Sequence, residues 1–370
     1  MARLVSLCSS RDRPVRSVWS GTPILTLPVN AKAERMLGVK AISLVFNSYF
    51  ITQDFDVNLS KFSSNRIVAI LLRYLVFIWC CCWYDRFHFF MDMGFIPQAL
   101  PGRFNERELR LYAKLGKQVF LYAYGADVRT RQLTHLLGTP NCCTECPSPA
   151  LSCICNDTWG DDNLVSVRKY ATAYFSMGDM LEYTPGSYNT LYYWPIDLSK
   201  DRYQPSYPPI ASNRPVKIVH APNHRGFKGT RYIIEAIDVL RNEGIDVELH
   251  LVEKMPNEQA LEVYRSADIL FDQCIIGFHG YFALEGMAMG KPVICFIRKP
   301  ESYLISYQEC PILNTSIETL TNDLRMLVTD RKRLHELGRQ GRAYVEQYFS
   351  LEAFASRLKE AYDKLGIVSK

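Results

Sequence analysis

The chain has 370 residues, of which 48% are hydrophobic and 22% charged, and its formal net charge at pH 7 is +5. This composition excludes a disordered or fibrous protein, and the length is too great for one hydrophobic core, so two domains are expected. The mild positive charge suits a protein that binds anionic diphosphates or rests on an anionic membrane. A nucleic-acid-binding class is excluded because no basic stripe with interleaved aromatic residues appears.

The first half of the chain alternates between short strand-like runs and helical patterns. Asn105 is placed to cap one helix, and Gly116 is placed to end it. The predicted strands are residues 4–8, 41–46, 86–90 and 118–122, and the predicted helices are residues 23–36 and 106–115. Residues 1–21 carry four arginines and no continuous apolar run, so no secretory signal is predicted and we expect a cytoplasmic, reducing location.

The most apolar segment, residues 67–83, contains Arg73 and is 17 residues long. A membrane-spanning helix needs about 20 residues of mainly apolar character. Three interpretations stay open: a buried or amphipathic helix, a surface that rests on a membrane, and a true span. Peripheral contact with the inner face of a membrane is therefore among the expectations.

Five cysteines lie within 14 residues, between prolines that favour turns. They are Cys142, Cys143, Cys146, Cys153 and Cys155. Cys143 and Cys146 have the spacing of a zinc knuckle, whereas one residue separates the second pair. A structural zinc site, reduced thiols on an inserted loop and disulfides remain open. We expect a bound metal to order the acceptor side of the first domain, and no other cofactor is expected.

The second half is more regular and follows a proline-rich linker at residues 203–215. Its predicted strands are residues 216–219, 247–252, 268–271 and 293–296, and its predicted helices are a helix capped by Thr230 and helices at 257–265 and 281–289. Alternating strands and helices predict a parallel sheet covered on both faces. The fold class is therefore α/β, with two Rossmann-like domains facing a cleft. The predicted domains are residues 1–200, with a Cys-rich insertion at 140–157, residues 201–349, and a last helix at 350–370 whose apolar stripe must be buried.

Candidate ligand-binding residues gather where strands of the second half end. Arg225 and Lys228 lie between glycines, so their charges can neutralise a diphosphate that approaches the backbone closely. Gly277 to Gly280 precede a helix whose first N–H groups favour phosphate oxygens. Glu285, inside that helix, can accept hydrogen bonds from two ribose hydroxyls.

The stretch at 281–294, YFALEGMAMGKPVI, resembles the signature of retaining glycosyltransferase family 4, which has the GT-B fold. Residues 227–229 resemble the phosphate-binding loop of that family, residues 265–270 its strand leading into the donor site, and residues 194–197 the segment that closes the first domain. The resemblance implies transfer of a sugar from a UDP- or GDP-sugar, with retention and without an obligatory metal, to a glycan or lipid-linked acceptor. It also implies that the last helix packs back on the first domain.

The resemblance also assigns roles to residues. It implies that Arg225 and Lys228 stabilise the leaving diphosphate, with His224 able to share the role of Arg225, and that Glu285 binds the ribose. The remaining donor-side candidates are Gly229, Gly277, His279 and the backbone at Gly280, Tyr281 and Phe282. The family pairs two glutamates eight positions apart, but this chain has Gly277 at the first position, and Asp272, Gln273 or His279 are candidates to substitute.

The first half offers three candidates for contact with sugar or acceptor. Asp127 and Arg129 follow the strand at 118–122 in a segment that resembles a family motif, with Tyr124 where the family has histidine. A structural ion pair is their alternative role. His88 is expected at a strand end facing the cleft, and a buried core histidine is its alternative.

Three functions compete. The first is an active transferase in polysaccharide or glycoconjugate synthesis. The second is a catalytically degenerate relative that binds a nucleotide sugar or supports a partner enzyme, and the third is a nucleotide-sugar epimerase of the same fold. A dinucleotide oxidoreductase is disfavoured because no Gly-x-Gly-x-x-Gly turn follows any strand.

Overall fold

The structure of the protein is a computed structural model. It describes residues 13–49, 52–62, 64–97, 103–147 and 157–367, with the backbone alone at 157–161. The predicted strand at 4–8 and the cysteines Cys153 and Cys155 lie outside the described residues.

The chain divides into two compact units. Unit 1 contains Met1–Leu133, Ala150–Pro195 and Leu351–Lys370, and unit 2 contains Thr134–Pro149 and Ile196–Ser350. The last helix therefore belongs to unit 1. The described part of the Cys-rich segment belongs to unit 2, whereas the sequence analysis placed it in the first domain.

Unit 1 is built on a parallel sheet whose six described strands have the order β3-β2-β1-β4-β5-β6. The strands are β1 (Arg16–Ser20), β2 (Lys40–Val45), β3 (Val57–Asn58), β4 (Arg86–Phe90), β5 (Gln118–Tyr122) and β6 (Ala173–Phe175). The described helices are α1 (Thr26–Arg35), α2 (Arg66–Trp83), α3 (Glu106–Lys114), α4 (Arg131–Leu136, across the unit boundary), α5 (Asp157–Tyr170) and, at the end of the chain, α13 (Leu351–Lys364). α13 packs against α1.

Unit 2 is built on a second parallel sheet, whose five described strands have the order β11-β10-β9-β7-β8. The strands are β7 (Val216–His220), β8 (Val247–Leu251), β9 (Ile269–Phe271), β10 (Val293–Cys295) and β11 (Leu313–Asn314). The described helices are α6 (Arg225–Lys228), α7 (Thr230–Asn242), α8 (Asn257–Arg265), α9 (Tyr281–Ala288), α10 (Pro300–Tyr303), α11 (Leu320–Val328) and α12 (Arg331–Tyr348).

Regular amphipathic patterns explain the helices of unit 2. Ile233, Ile237 and Leu240 of α7 are buried at helical spacing against Ile218 of the sheet. Gly244 takes a left-handed φ of 80° just beyond the end of this helix. The side chain of Asp330 caps α12 by accepting from Arg333 N. The central strands β7, β9 and β10 are mostly buried, whereas the edge strands β8 and β11 are more exposed.

One described helix, α2, is long and apolar enough to cross a membrane by length and composition. Its side chains Val76, Phe77, Cys80 and Cys81 are buried in unit 1. These four side chains join α2 to unit 1, and the outward side of the helix is largely apolar.

Candidate functional site

Lys228 is positioned by a tight turn between the two helices that follow β7. The short helix α6 ends at Gly229, which adopts φ 73°, and α7 begins at the next residue. A Cβ at Gly229 would collide with the sulfur of Cys274, so both the backbone conformation and the space require glycine. The turn directs the Lys228 side chain toward the end of β9.

His220, the last residue of β7, fixes this turn to the neighbouring strand. Its Nδ1 lies 2.9 Å from the carbonyl oxygen of Phe271, and its Nε2 lies 2.9 Å from the hydroxyl of Thr230. Because a carbonyl can only accept, Nδ1 donates and Nε2 accepts from Thr230. Burial lowers the pKa of His220 to about 4, so the neutral ring keeps this tautomer at neutral pH. Sequence analysis did not assign His220 a role.

Asp272 is the centre of the candidate site. It follows β9 directly, is 2% exposed, and accepts a 2.6 Å hydrogen bond from Lys228 Nζ. Its second oxygen accepts from the backbone N–H of Gly280 at the start of α9. One buried carboxylate thus binds a lysine and a helix amino terminus, both of which favour anions.

The pKa of Asp272 reflects these partners. Burial acts to raise it, but the charge of Lys228 and the hydrogen bonds from Gly280 and Lys228 outweigh burial, and the pKa lies below its usual range. Asp272 is therefore ionised at neutral pH. Lys228 and Gly280 form an anion site that is occupied by a carboxylate of the protein itself.

Gly280 lies close to both Lys228 and Asp272. A Cβ there would lie 3.3 Å from Lys228 Nζ and 3.4 Å from both Asp272 oxygens. α9 begins at the next residue, Tyr281, and the Phe282 ring packs edge-on against Tyr264 at 4.8 Å. The structure thereby brings together Lys228, Gly280 and the first turn of α9.

Glu285 lies in the same helix and is 3% exposed. Its Oε1 accepts hydrogen bonds of 3.1 Å from the hydroxyl of Tyr203 and of 3.1 Å from the side-chain amide of Asn257. Burial raises its pKa to about 7, against the opposing effect of those two hydrogen bonds. Tyr203 and Asn257 were not singled out from the sequence, and Tyr203 lies in the segment predicted to be a linker.

Gly277, at the position where the family has its first glutamate, adopts φ 96°. A Cβ at this position would lie 2.8 Å from the guanidinium carbon of Arg298. Arg298 donates a 2.7 Å hydrogen bond to the carbonyl of Ile276. A glutamate at 277 would therefore strain the backbone and displace this arginine, so the chain is built around glycine here.

The other donor-side candidates have protein partners. Arg225 is more than half exposed and forms an ion pair with Glu253, with hydrogen bonds of 2.9 and 2.6 Å. His224 caps α6 and stacks on Phe227 at 3.9 Å. His279 is buried beside Phe278, and burial lowers its pKa to about 4. Of the predicted cations, Lys228 is the one joined to the start of α9.

The first part of the Cys-rich segment packs beside this loop. The backbone carbonyl of Glu145 lies where a Cβ at Gly226 would be, and the Glu145 carboxylate forms a 3.1 Å ion pair with Arg231. The segment contains Cys142, Cys143 and Cys146 and therefore borders the predicted phosphate-binding loop, in contrast to the expected position on the acceptor side. Among the described residues, no group of three or more His, Cys, Asp or Glu side chains could hold a metal ion. The zinc prediction also involves cysteines outside those residues and stays a prediction.

His88 lies in the middle of β4 and is completely buried in unit 1. Its ring stacks on Trp19 at 3.9 Å, its Nδ1 lies 2.8 Å from the Tyr122 hydroxyl, and its Nε2 lies 3.3 Å from that of Tyr362. Burial lowers its pKa. His88 is thus a core histidine that joins the sheet to α13, and the expected position at a strand end is corrected: β4 continues for two residues beyond it.

Asp127 and Arg129 each have identified contacts within unit 1. Asp127 is 5% exposed and accepts from the backbone N–H groups of Tyr124, Gly125 and Met91 at 3.0, 2.8 and 3.3 Å. Arg129 makes two hydrogen bonds of 2.9 Å to Asp179. These contacts favour structural roles for both residues, since Asp127 holds the turn after β5 and Arg129 holds the segment around Asp179.

No protein-family model matches the chain, and no curated protein is similar to it in sequence. Solved structures do share its fold. A sucrose-phosphate synthase from Thermosynechococcus elongatus is 12% identical, with 96% of this chain and 99% of that chain covered at a TM-score of 0.57. HepE from Anabaena, solved with UDP-glucose, is 10% identical, with 94% and 99% covered at 0.57.

A putative UDP-N-acetylglucosamine 2-epimerase from Listeria monocytogenes is 13% identical, with 95% of this chain and 96% of that chain covered at a TM-score of 0.52. These similarities show the fold: the chain has the two-sheet α/β architecture of GT-B proteins. Because transferases and an epimerase share it, the fold leaves the reaction open.

Proposed function

We propose that the chain is a glycosyltransferase that uses a nucleotide sugar as donor. The observation that carries this proposal is the convergence of Lys228 Nζ and the Gly280 N–H on one anion position, with Glu285 farther along the same helix. In the proposed complex the diphosphate replaces Asp272 as the acceptor of hydrogen bonds from Lys228 and Gly280. Glu285 accepts hydrogen bonds from the ribose. The UDP-glucose bound to HepE supports a UDP-sugar as the first donor to test.

The proposed reaction breaks the bond between the sugar C1 and the β-phosphate oxygen, and its electron pair leaves with the nucleoside diphosphate. A bond forms between C1 and an acceptor hydroxyl oxygen, and the hydroxyl proton passes to the departing diphosphate. Lys228 and the amino end of α9 stabilise the growing negative charge on the leaving group. On this proposal no metal ion is required, and the resemblance to family 4 implies retention at C1.

A second function is favoured by two observations: Asp272 occupies the anion site, and Gly277 replaces a carboxylate that the family has. A chain that only binds nucleotide sugars would bind the donor without turnover. The third function, epimerisation, is supported by the epimerase that shares the fold.

The deciding experiment incubates the protein with a panel of UDP- and GDP-sugars, with and without glycan and lipid-linked acceptors, in the presence of a metal chelator. Release of nucleoside diphosphate that depends on an acceptor supports transfer, and the anomeric configuration of the product tests retention. An isomerised donor without acceptor would indicate an epimerase. Saturable binding with an unchanged donor would indicate the non-catalytic function.

A further inference from the structure

The outward side of α2 is an exposed apolar surface. Its exposed residues include Ile67 at 71%, Leu71 at 58%, Leu75 at 64% and Ile78 at 48%. These residues recur at helical spacing and form one continuous stripe. The aromatic residues at least two-fifths exposed on the same helix are Tyr74, Trp79 and Trp83. A continuous exposed apolar stripe on a helix is typical of an interaction surface.

The opposite side of α2 is fixed to unit 1. Arg73 donates a 3.3 Å hydrogen bond to the carbonyl of Phe95, and its guanidinium lies over the Phe46 ring at 4.3 Å. The Phe77 ring packs on Tyr112 at 5.4 Å. A helix held in this way does not leave the unit to cross a bilayer, because these contacts and the buried cysteines would be lost. It can lie in the plane of a membrane interface.

Positive charge lies at both ends of the stripe. Lys61 and Arg66 stand at its start, and the sequence from Val57 to Tyr84 contains no aspartate or glutamate. At its end, a cavity of about 460 Å³ is lined by Arg16, Arg35 and Lys40 together with Trp83 and Tyr84. Arg16 stacks over the Trp83 ring at 4.4 Å, and Arg35 pairs with Asp56.

We propose that α2 and this basic cavity form a docking surface for an anionic lipid bilayer. The apolar stripe enters the boundary between head groups and acyl chains, Tyr74, Trp79 and Trp83 lie at the level of the head groups, and the cavity accepts a lipid phosphate. A second copy of the chain fits this surface less well, since an isologous pair would place cationic ends against cationic ends. The proposal is independent of the reaction that the protein catalyses.

The test is co-sedimentation of the full chain with vesicles of phosphatidylcholine alone or mixed with phosphatidylglycerol. We expect binding to the mixed vesicles, weaker binding to phosphatidylcholine, and partial loss in high salt. The double variant Leu71→Gln/Leu75→Gln should bind the mixed vesicles at least about tenfold more weakly. Arg16→Gln/Lys40→Gln should reduce the preference for phosphatidylglycerol, because Lys61 and Arg66 keep their charges.

The matched control is Met326→Gln, which changes an equally exposed apolar side chain on α11, 64% exposed in unit 2, and should bind normally. Fluorescence quenching of the unsubstituted protein by brominated lipids provides a readout that does not depend on any variant folding. The proposal is overturned if the unsubstituted protein does not bind the mixed vesicles. It is equally overturned if the Leu71/Leu75 variant binds them as strongly as the unsubstituted protein does. It is also overturned if sedimentation equilibrium finds a dimer in the absence of lipid that this variant converts to monomer.

Discussion

Each unit has a buried aspartate beside a strand end that accepts from backbone N–H, three groups at Asp127 and one at Asp272, yet the two carboxyls have opposite pKa shifts. In unit 1, burial and the neighbouring charge of Asp92 raise the pKa of Asp127 to about 7. In unit 2, the charge and hydrogen bond of Lys228 help to bring the pKa of Asp272 below its usual range despite burial. The two carboxyls differ in their charged neighbours: Asp272 has a lysine at 2.6 Å, whereas Asp127 has the carboxylate of Asp92 nearby.

At Asp127, backbone N–H groups alone do not outweigh burial and a neighbouring negative charge. Asp127 accepts three of them and still has a raised pKa. The turn in unit 2 differs because it combines a helix amino terminus with a cation, and this combination suits a diphosphate. The comparison locates the anion site in unit 2, and the predictions below test it.

The largest expected effect is that of Lys228→Ala. Without the lysine, the pKa of Asp272 should rise, as that of Asp127 does. A bound diphosphate should also lose the cation that neutralises it. We expect turnover to fall at least about 100-fold, a loss of roughly 2.7 kcal/mol of transition-state stabilisation. Initial rates with a saturating donor measure this effect. The control is Lys217→Ala, which removes a half-buried lysine bonded to Ser266. Near-normal rates in Lys228→Ala would contradict the assignment of Lys228 to the site.

The next effect is that of Asp272→Asn on nucleoside diphosphate affinity. The substitution removes the negative charge that competes for Lys228 and Gly280, so we expect about tenfold tighter binding. Isothermal titration calorimetry measures the change. Asp268→Asn is a matched control, because Asp268 is also buried and paired, with Arg214, at the other end of the same strand. Weaker binding by Asp272→Asn would instead make Asp272 a positioning residue for Lys228.

Much of unit 2 could be predicted from the sequence, because its strands and helices have clear local patterns. The helix Asn257–Arg265 is confirmed with both ends as predicted, as are the strands Arg86–Phe90 and Gln118–Tyr122 of unit 1. The central strand Arg16–Ser20 was missed, since its serines break the apolar pattern. Their hydroxyl groups form hydrogen bonds with residues distant in sequence; the Ser20 hydroxyl, for example, donates to the Leu44 carbonyl.

The site could be predicted only in part. Glycine spacing and charge pointed to Lys228, Gly280 and Glu285, but the partners of these residues come from distant parts of the chain. Tyr203 reaches Glu285 from a segment with no regular pattern, and Asp272 meets Lys228 because β7 and β9 are neighbours in the sheet. The burial of His88 likewise depends on α13, which lies more than 260 residues away in sequence.

A smaller effect is the pH dependence of donor binding through Glu285. Its pKa of about 7 in the free protein means that it is partly protonated at neutral pH. Because the carboxylate is the better acceptor for two hydroxyls, binding favours the ionised form, and affinity should rise several-fold from about pH 6 to about pH 8. Glu285→Gln should bind more weakly and lack this rise. A nucleotide sugar is the proper ligand for the titration, because its diphosphate does not titrate in this range.

The smallest effect on the donor site is expected for Asp127→Asn, which keeps an acceptor for the turn in unit 1. Nucleotide affinity should stay within about twofold. The effect should instead appear in stability. The folded pKa of about 7 lies above the ordinary aspartate value of 3.8, so the contribution of Asp127 to stability is fully present below the unfolded pKa and is lost as pH rises through about 7. Thermal unfolding should therefore find that the unsubstituted protein loses Tm relative to Asp127→Asn between about pH 5 and about pH 8. An unchanged difference in Tm across that range would mean that the carboxyl is ionised throughout, and the contrast with Asp272 would then have to rest on geometry alone.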